Sequence, residues 1–145
     1  FRFRELTSCK DGRGRRGNRA GIAMSVLLVE DMADLRESYA WLLRHAGCEV
    51  VAAPDGREAL GSVPGFTPEF VLTDFQMPRM DGVELIRRMR SLPGLARVPV
   101  AMATANDGQD VESQARAAGA ADVVHKPVDV LRLLGRYERA EFAEA

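Results

Sequence analysis

Two kinds of segment alternate along the chain. Short apolar runs rich in Val and Leu, typical of buried parallel strands, are separated by segments whose apolar residues recur at the helical period. The predicted strands span about 25–30, 49–53, 70–74, 98–104 and 122–125, and the predicted helices span about 31–46, 56–63, a segment after the turn at 78–81, 110–118 and 129–139. Five such strand–helix units favour an α/β fold with one five-stranded, doubly wound parallel sheet.

Four of the apolar runs end in polar residues. Glu30 and Asp31 follow the first run, Asp74 ends the third, Thr104 ends the fourth, and Lys126 follows the fifth. Parallel sheets bind ligands at the carboxyl edge of their strands, so we expect these side chains to lie together. Three crowded carboxylates repel one another, and Mg²⁺ with oxygen ligands would relieve that repulsion. A lysine and a hydroxyl beside the metal favour a site for a phosphoryl group.

The composition is that of a globular domain. The chain has 145 residues, enough for one compact domain, and no apolar run approaches the roughly 20 residues that span a bilayer. The N-terminus lacks the apolar core of a signal peptide, and Cys9 and Cys48 form no metal motif. We therefore expect a reduced, cytoplasmic setting and no membrane partner.

Charge is concentrated at the N-terminus. Residues 1–23 carry seven Arg or Lys against two acids, a net charge of +5, which leaves −6 for the remainder. Four glycines and the lack of an apolar period predict a disordered basic extension. Met24 stands directly before the first strand, so we interpret it as the natural start and 1–23 as not native. A basic arm for nucleic acid is the alternative, but no aromatic residue interrupts the Arg cluster.

The chain from about Met24 to Arg139 resembles the receiver domain of two-component response regulators. The resemblance rests on motifs in the order and spacing of that family: Glu30-Asp31, Asp74 with Met77-Pro78 and Asp81-Gly82 behind it, Thr104, and Lys126-Pro127. It implies a flavodoxin-like strand order 2-1-3-4-5, with a receiver domain over 24–140 and a tail over 141–145. We expect no room for an output domain.

The resemblance implies a role for each site residue. Asp74 is expected to accept the phosphoryl group, Thr104 to donate a hydroxyl hydrogen bond to it, and Lys126 to pair with it, aimed by a cis bond to Pro127. The bland alternatives are a solvated acid for Asp74 and a β-branched strand residue for Thr104.

The implied metal ligands are Glu30, Asp31, Asp74 and the backbone carbonyl of Gln76, with Mg²⁺ as the cofactor. The alternative for Asp31 is a cap of the first helix. Gln76 and Asn106 occupy positions that modulate hydrolysis in the family.

Four other residues have predominantly structural interpretations. Asp81 is expected to cap the third helix, and His45 to complement the dipole at the end of the first helix. His125 is expected to be an edge-facing strand residue, with tuning of the site as the alternative. Trp41 is either an exposed partner contact or packed against a loop.

Val123 departs from the family pattern. The position three before the lysine is usually aromatic and changes rotamer with the hydroxyl residue. Valine is stiff at χ1 and has no ring to move. We expect the phosphoacceptor chemistry to be intact and the usual relay to be absent.

The resemblance implies a single-domain response regulator that takes a phosphoryl group from a sensor histidine kinase or a histidine phosphotransfer protein. It would signal by phosphorylation-dependent binding of an unknown output protein, with autophosphotransfer and autodephosphorylation rather than metabolic activity. The alternatives are a receiver module of a hybrid histidine kinase, a scaffold without phosphorylation, and a Mg²⁺-dependent aspartyl-phosphate hydrolase. The hydrolase needs an acid where Gln76 stands. A nucleic-acid partner depends on residues 1–23 and is not expected.

Overall fold

The computed structural model describes residues 24–105 and 108–144 of the chain, which alternate strand and helix throughout. The predicted segment 1–23 and Asn106 lie outside the described residues. The strands are β1 (Ser25–Val29), β2 (Glu49–Ala53), β3 (Phe70–Asp74), β4 (Val100–Thr104) and β5 (Asp122–His125). The helices are α1 (Ala33–His45), α2 (Gly56–Ser62), α3 (Gly82–Arg90), α4 (Gln109–Ala118) and α5 (Val130–Glu144), with short 3-10 turns at Val63–Gly65 and Pro93–Leu95.

The five strands form one parallel sheet in the order β2-β1-β3-β4-β5. Val26 of β1 lies opposite Val50 of β2 on one side and Phe70 of β3 on the other. The predicted fold class and strand order are therefore confirmed. Every residue of β3 and β4 is buried, which explains why these strands are nearly continuous apolar runs rather than alternating ones.

The sheet separates two apolar cores. Successive residues of a strand point to opposite faces, so Leu27 and Val29 join one core while Val26 and Leu28 join the other. The first core is closed by residues of α2, α3 and α4, and the second by residues of α1 and α5. Helices on both faces leave the two ends of the sheet as the places where strand termini reach the surface.

α5 is longer than the sequence predicts: it continues to Glu144, five residues beyond the predicted end at Arg139. α4 is alanine-rich, and its Val111 and Ala115 are buried in the core.

The alternative interpretation of Asp31, as a cap of the first helix, is wrong. α1 begins at Ala33, its N-cap position is Met32, and no side chain caps it by a hydrogen bond. Asp31 precedes the N-cap and is exposed, so capping does not explain an acid at that position.

His45 lies in the last turn of α1, as predicted. Trp41, for which the sequence left an exposed partner contact and packing against a loop open, has 56% of its surface exposed and stacks on the His45 ring at a centroid distance of 4.5 Å. Within the described residues, none of the helices combines the length and apolar character that crossing a bilayer requires.

Candidate functional site

Four strand ends bring the predicted side chains to one edge of the sheet. Glu30 directly follows β1, Asp74 ends β3, Thr104 ends β4, and Lys126 directly follows β5. Glu30, Asp74 and Thr104 are buried, with exposed fractions of 2%, 5% and 2%. Buried polar groups of this kind require partners, and the apolar strands beneath them hold them in place.

Lys126 joins the two buried acids. Its Nζ lies 3.0 Å from Asp74 Oδ1 and 3.1 Å from Glu30 Oε1. The second Glu30 oxygen, Oε2, accepts a hydrogen bond from the Met32 backbone N–H at 3.2 Å. Glu30 is thereby held between the lysine and the start of α1. The Lys126–Pro127 peptide bond is cis, as the resemblance implies.

The neighbouring charged groups shift the pKa values of Asp74 and Lys126. Burial, opposed by the hydrogen bond from Lys126 and reinforced by the charge of Glu30, raises the pKa of Asp74 to about 7. Burial acts to lower the pKa of Lys126, but the hydrogen bonds to Asp74 and Glu30 outweigh it and raise that pKa. The lysine therefore stays charged. Burial and the charge of Glu30 destabilise the ionised form of Asp74, and a further cation would stabilise it.

The acids fit a divalent cation. One carboxylate oxygen from each of Glu30, Asp31 and Asp74 lies within 4.8 Å of the others. Carboxylate oxygens are hard ligands that suit Mg²⁺. Three carboxylates face one ammonium, so the fully ionised cluster has an excess negative charge that a divalent ion would balance. Gln76 follows two residues after Asp74 with its side chain exposed.

Thr104 lies beside Lys126 at the carboxyl edge of the sheet. Its backbone oxygen accepts a hydrogen bond from the Lys126 N–H at 3.0 Å, and it lies opposite His125 in the sheet register. His125 is exposed, as predicted.

The segment behind Asp74 is built around a close approach of backbone to backbone. Asp81 caps α3 by accepting a hydrogen bond from the Glu84 N–H, which confirms the predicted cap. The Gly82 N–H donates to the Phe75 oxygen at 2.8 Å, and a Cβ placed on Gly82 would lie 2.5 Å from the Asp74 oxygen. Glycine is therefore required for α3 to begin this close to the acceptor strand.

Two residues of α1 contact the loops of the site and carry no recognisable signal in the sequence. Arg36 Nη1 donates to the backbone oxygens of Glu30 at 2.9 Å and Asp31 at 3.5 Å. The Tyr39 hydroxyl accepts a hydrogen bond from the Val128 N–H at 3.4 Å, two residues after Lys126. Both contacts join a helix side chain to the backbone of a loop, and no periodicity or motif predicts a contact of this kind.

Val123 is half-buried and packs against the core on the α2, α3 and α4 side of the sheet. It lies opposite Met102 of β4 in the register. The position usually taken by an aromatic ring is thus filled by a small, stiff side chain.

Comparison with known proteins agrees with this geometry. Residues 26–138 match the family model of the response regulator receiver domain. The chain belongs to the response regulator receiver family. The receiver aligns with the CheY4 chemotaxis regulator of Vibrio cholerae at 30% identity and a TM-score of 0.74, covering 79% of this chain and 98% of that one.

Two further relatives extend the likeness. The receiver domain of sensor histidine kinase PA1611 from Pseudomonas aeruginosa, solved with a magnesium ion in its active-site cleft, is 30% identical with a TM-score of 0.72, over 83% of this chain and 99% of that one. Protein PilG of the same species is 29% identical over 77% of this chain and 83% of its own length. Several other curated relatives are longer, and this chain spans about half of their length or less.

Proposed function

We propose that this receiver accepts a phosphoryl group on Asp74, in a Mg²⁺-dependent reaction, from a phosphohistidine of a sensor kinase or histidine phosphotransfer protein. The observation that carries the proposal is the buried ion pair at the sheet edge, where Lys126 Nζ lies 3.0 Å from Asp74 Oδ1. Glu30 and Asp31 add the oxygen ligands that a divalent cation needs.

The chemistry is a group transfer to a carboxylate. An Asp74 oxygen attacks phosphorus, the bond from phosphorus to the donor nitrogen breaks, and the donor imidazole leaves with its electron pair. Lys126 is the cation available to pair with the incoming phosphoryl oxygens, and the Thr104 hydroxyl is the neutral donor for them. Glu30, Asp31, Asp74 and the Gln76 backbone oxygen would hold Mg²⁺, which would neutralise negative charge during the transfer.

The output of the reaction is a change in protein binding. Phosphorylation adds charge and acceptor oxygens at the sheet edge, and a partner that distinguishes the two states would transmit the signal. We place the reaction in the cytoplasm, where the phosphohistidine donors of this family act.

A second arrangement places this receiver within a longer protein. Its likeness to the receiver domain of sensor kinase PA1611 favours a module of a hybrid histidine kinase. Immunodetection of the native gene product separates the two: a band no larger than the 15.9 kDa of this chain favours the single-domain form, and a much larger band favours the module.

Intact-mass spectrometry tests the proposed function. Incubation with acetyl phosphate and Mg²⁺ should add a single phosphoryl group, and EDTA or Asp74→Asn should abolish the gain. Asp110→Asn is the matched control, because it makes the same change at an exposed acid in the first turn of α4. Equal labelling of the Asp74→Asn variant would show that another residue accepts the group.

A further inference from the structure

Arg36 of α1 holds the loop that carries two of the three acids. Its guanidinium donates from Nη1 to the Glu30 backbone oxygen at 2.9 Å and to the Asp31 backbone oxygen at 3.5 Å. Its own backbone N–H donates to the Met32 oxygen at 2.9 Å. One residue of the helix thus contacts three successive backbone oxygens of the loop before it.

Apart from Arg36, the backbone of this loop is held at Glu30 and at Met32, whose N–H donates to the Glu30 carboxylate. The N-cap residue Met32 makes no side-chain cap bond, so the usual tie between loop and helix is missing. Glu30 is fixed further by its N–H, which donates to the Ala53 oxygen at 3.1 Å. Asp31 is exposed, and Arg36 contacts the backbone oxygen of the residue whose carboxylate lies within 4.8 Å of the Glu30 and Asp74 carboxylates.

We infer that Arg36 is a positioning residue for Mg²⁺: it fixes the backbone of Glu30 and Asp31 so that their carboxylates are already placed for the cation. The inference rests on the proposed function for the identity of the cation. Groups that orient metal ligands commonly change metal affinity by about 10- to 100-fold when they are removed.

The charge of Arg36 acts in the opposite direction. A guanidinium near a cation site repels the cation, so a role that is only electrostatic predicts tighter Mg²⁺ binding when the charge is removed. A positioning role predicts weaker binding. The sign of the change therefore separates the two roles. A lysine at this position keeps the charge but loses the rigid, planar guanidinium whose Nη1 reaches both backbone oxygens.

The test is the Mg²⁺ dissociation constant of the full chain, measured by titration calorimetry with MgCl₂. Arg36→Met should raise it by about 10-fold or more, and Arg36→Lys should raise it by a smaller factor. Arg44→Met is the matched control: Arg44 lies on the same helix and donates to the Val50 backbone oxygen at 3.0 Å, away from the site. That variant should leave the constant unchanged.

Tighter or unchanged binding by Arg36→Met overturns the inference, and so does equal weakening by Arg44→Met. If Arg36→Met does not fold, a wild-type constant in Arg36→Lys overturns it. Wild-type protein that binds Mg²⁺ but is not phosphorylated would refute the proposed function. The inference about Arg36 would then be decided by the Mg²⁺ dissociation constants of the variants. Wild-type protein that does not bind Mg²⁺ would overturn both.

Discussion

Gly82→Ala tests the tight junction between α3 and the acceptor strand. The added Cβ would lie 2.5 Å from the Asp74 backbone oxygen, 3.0 Å from Met102 Sδ and 3.1 Å from Phe75 Cα. Two of these three neighbours are backbone atoms, which cannot rotate away as a side-chain tip can. Either α3 or the end of β3 must therefore move.

The size of the effect follows from these distances. Carbon and carbonyl oxygen normally approach to about 3.3–3.6 Å, so the first turn of α3 must shift by about 1 Å. Overpacking of this kind costs about 1–3 kcal/mol, and the helix propensity gained on replacing glycine returns at most about 1 kcal/mol. A displacement of about 1 Å at a reacting group can cost up to about 100-fold in rate. We expect a net destabilisation of about 1–2 kcal/mol and slower phosphorylation of Asp74.

Gly61→Ala is the matched control. Gly61 lies inside α2, and a Cβ there would meet nothing within 4 Å. That variant should gain about 0.5–1 kcal/mol and keep the wild-type labelling rate. Urea unfolding in EDTA measures the stabilities, and timed intact-mass spectra with acetyl phosphate and Mg²⁺ measure the rates. Wild-type stability and rate in Gly82→Ala would refute the reasoning, as would equal losses in both variants.

Three further outcomes follow from the site. In EDTA, Asp74→Asn should be increasingly more stable than wild type as the pH rises from 4 to 8, by up to about 4 kcal/mol. The reason is that the folded-state pKa of Asp74, about 7, lies above its ordinary value, so wild type is favoured at low pH and loses that stability as the pH rises through 7. Urea unfolding across this range checks it, and parallel curves would contradict it. Asp31→Ala should weaken Mg²⁺ binding in calorimetry. The stability of the metal-free protein should be equal or higher, because Met32 rather than Asp31 holds the N-cap position; a large loss of that stability would indicate a structural role for Asp31. Tyr39→Phe removes a hydrogen bond worth about 1 kcal/mol from the backbone of Val128. Phosphorylation at saturating Mg²⁺ should therefore slow several-fold with an unchanged Mg²⁺ dissociation constant. A changed constant would argue against a role confined to the loop that follows Lys126.

The strands were predictable because burial on both faces leaves a plain signal in the sequence. β2, β3 and β5 have the predicted bounds, and their apolar runs stop where the chain leaves the sheet. Helix ends were less predictable, because they depend on tertiary contacts. α5 continues to Glu144, and α1 begins one residue after Met32, a residue type that gives no capping signal.

The charged residues of the site were predictable from the sequence, and the residues that contact its loops were not. Asp74 and Lys126 each end an apolar run, so their meeting at one edge follows from the parallel topology alone. Arg36 and Tyr39 act through backbone atoms of loops, and the partner of such a contact cannot be identified from side-chain types. Val123 was predictable as a departure from the family pattern, and the structure shows it partly buried and packed against the core.

Chemical trapping of the phosphorylated residue tests the central claim most directly. Borohydride reduces an aspartyl phosphate to homoserine, which peptide mass spectrometry locates in the chain. After treatment with acetyl phosphate and Mg²⁺, we predict homoserine at position 74 and its absence when EDTA replaces Mg²⁺. Homoserine at Asp31 or another acid, or a phosphoryl group that survives borohydride on a different type of side chain, would contradict the account.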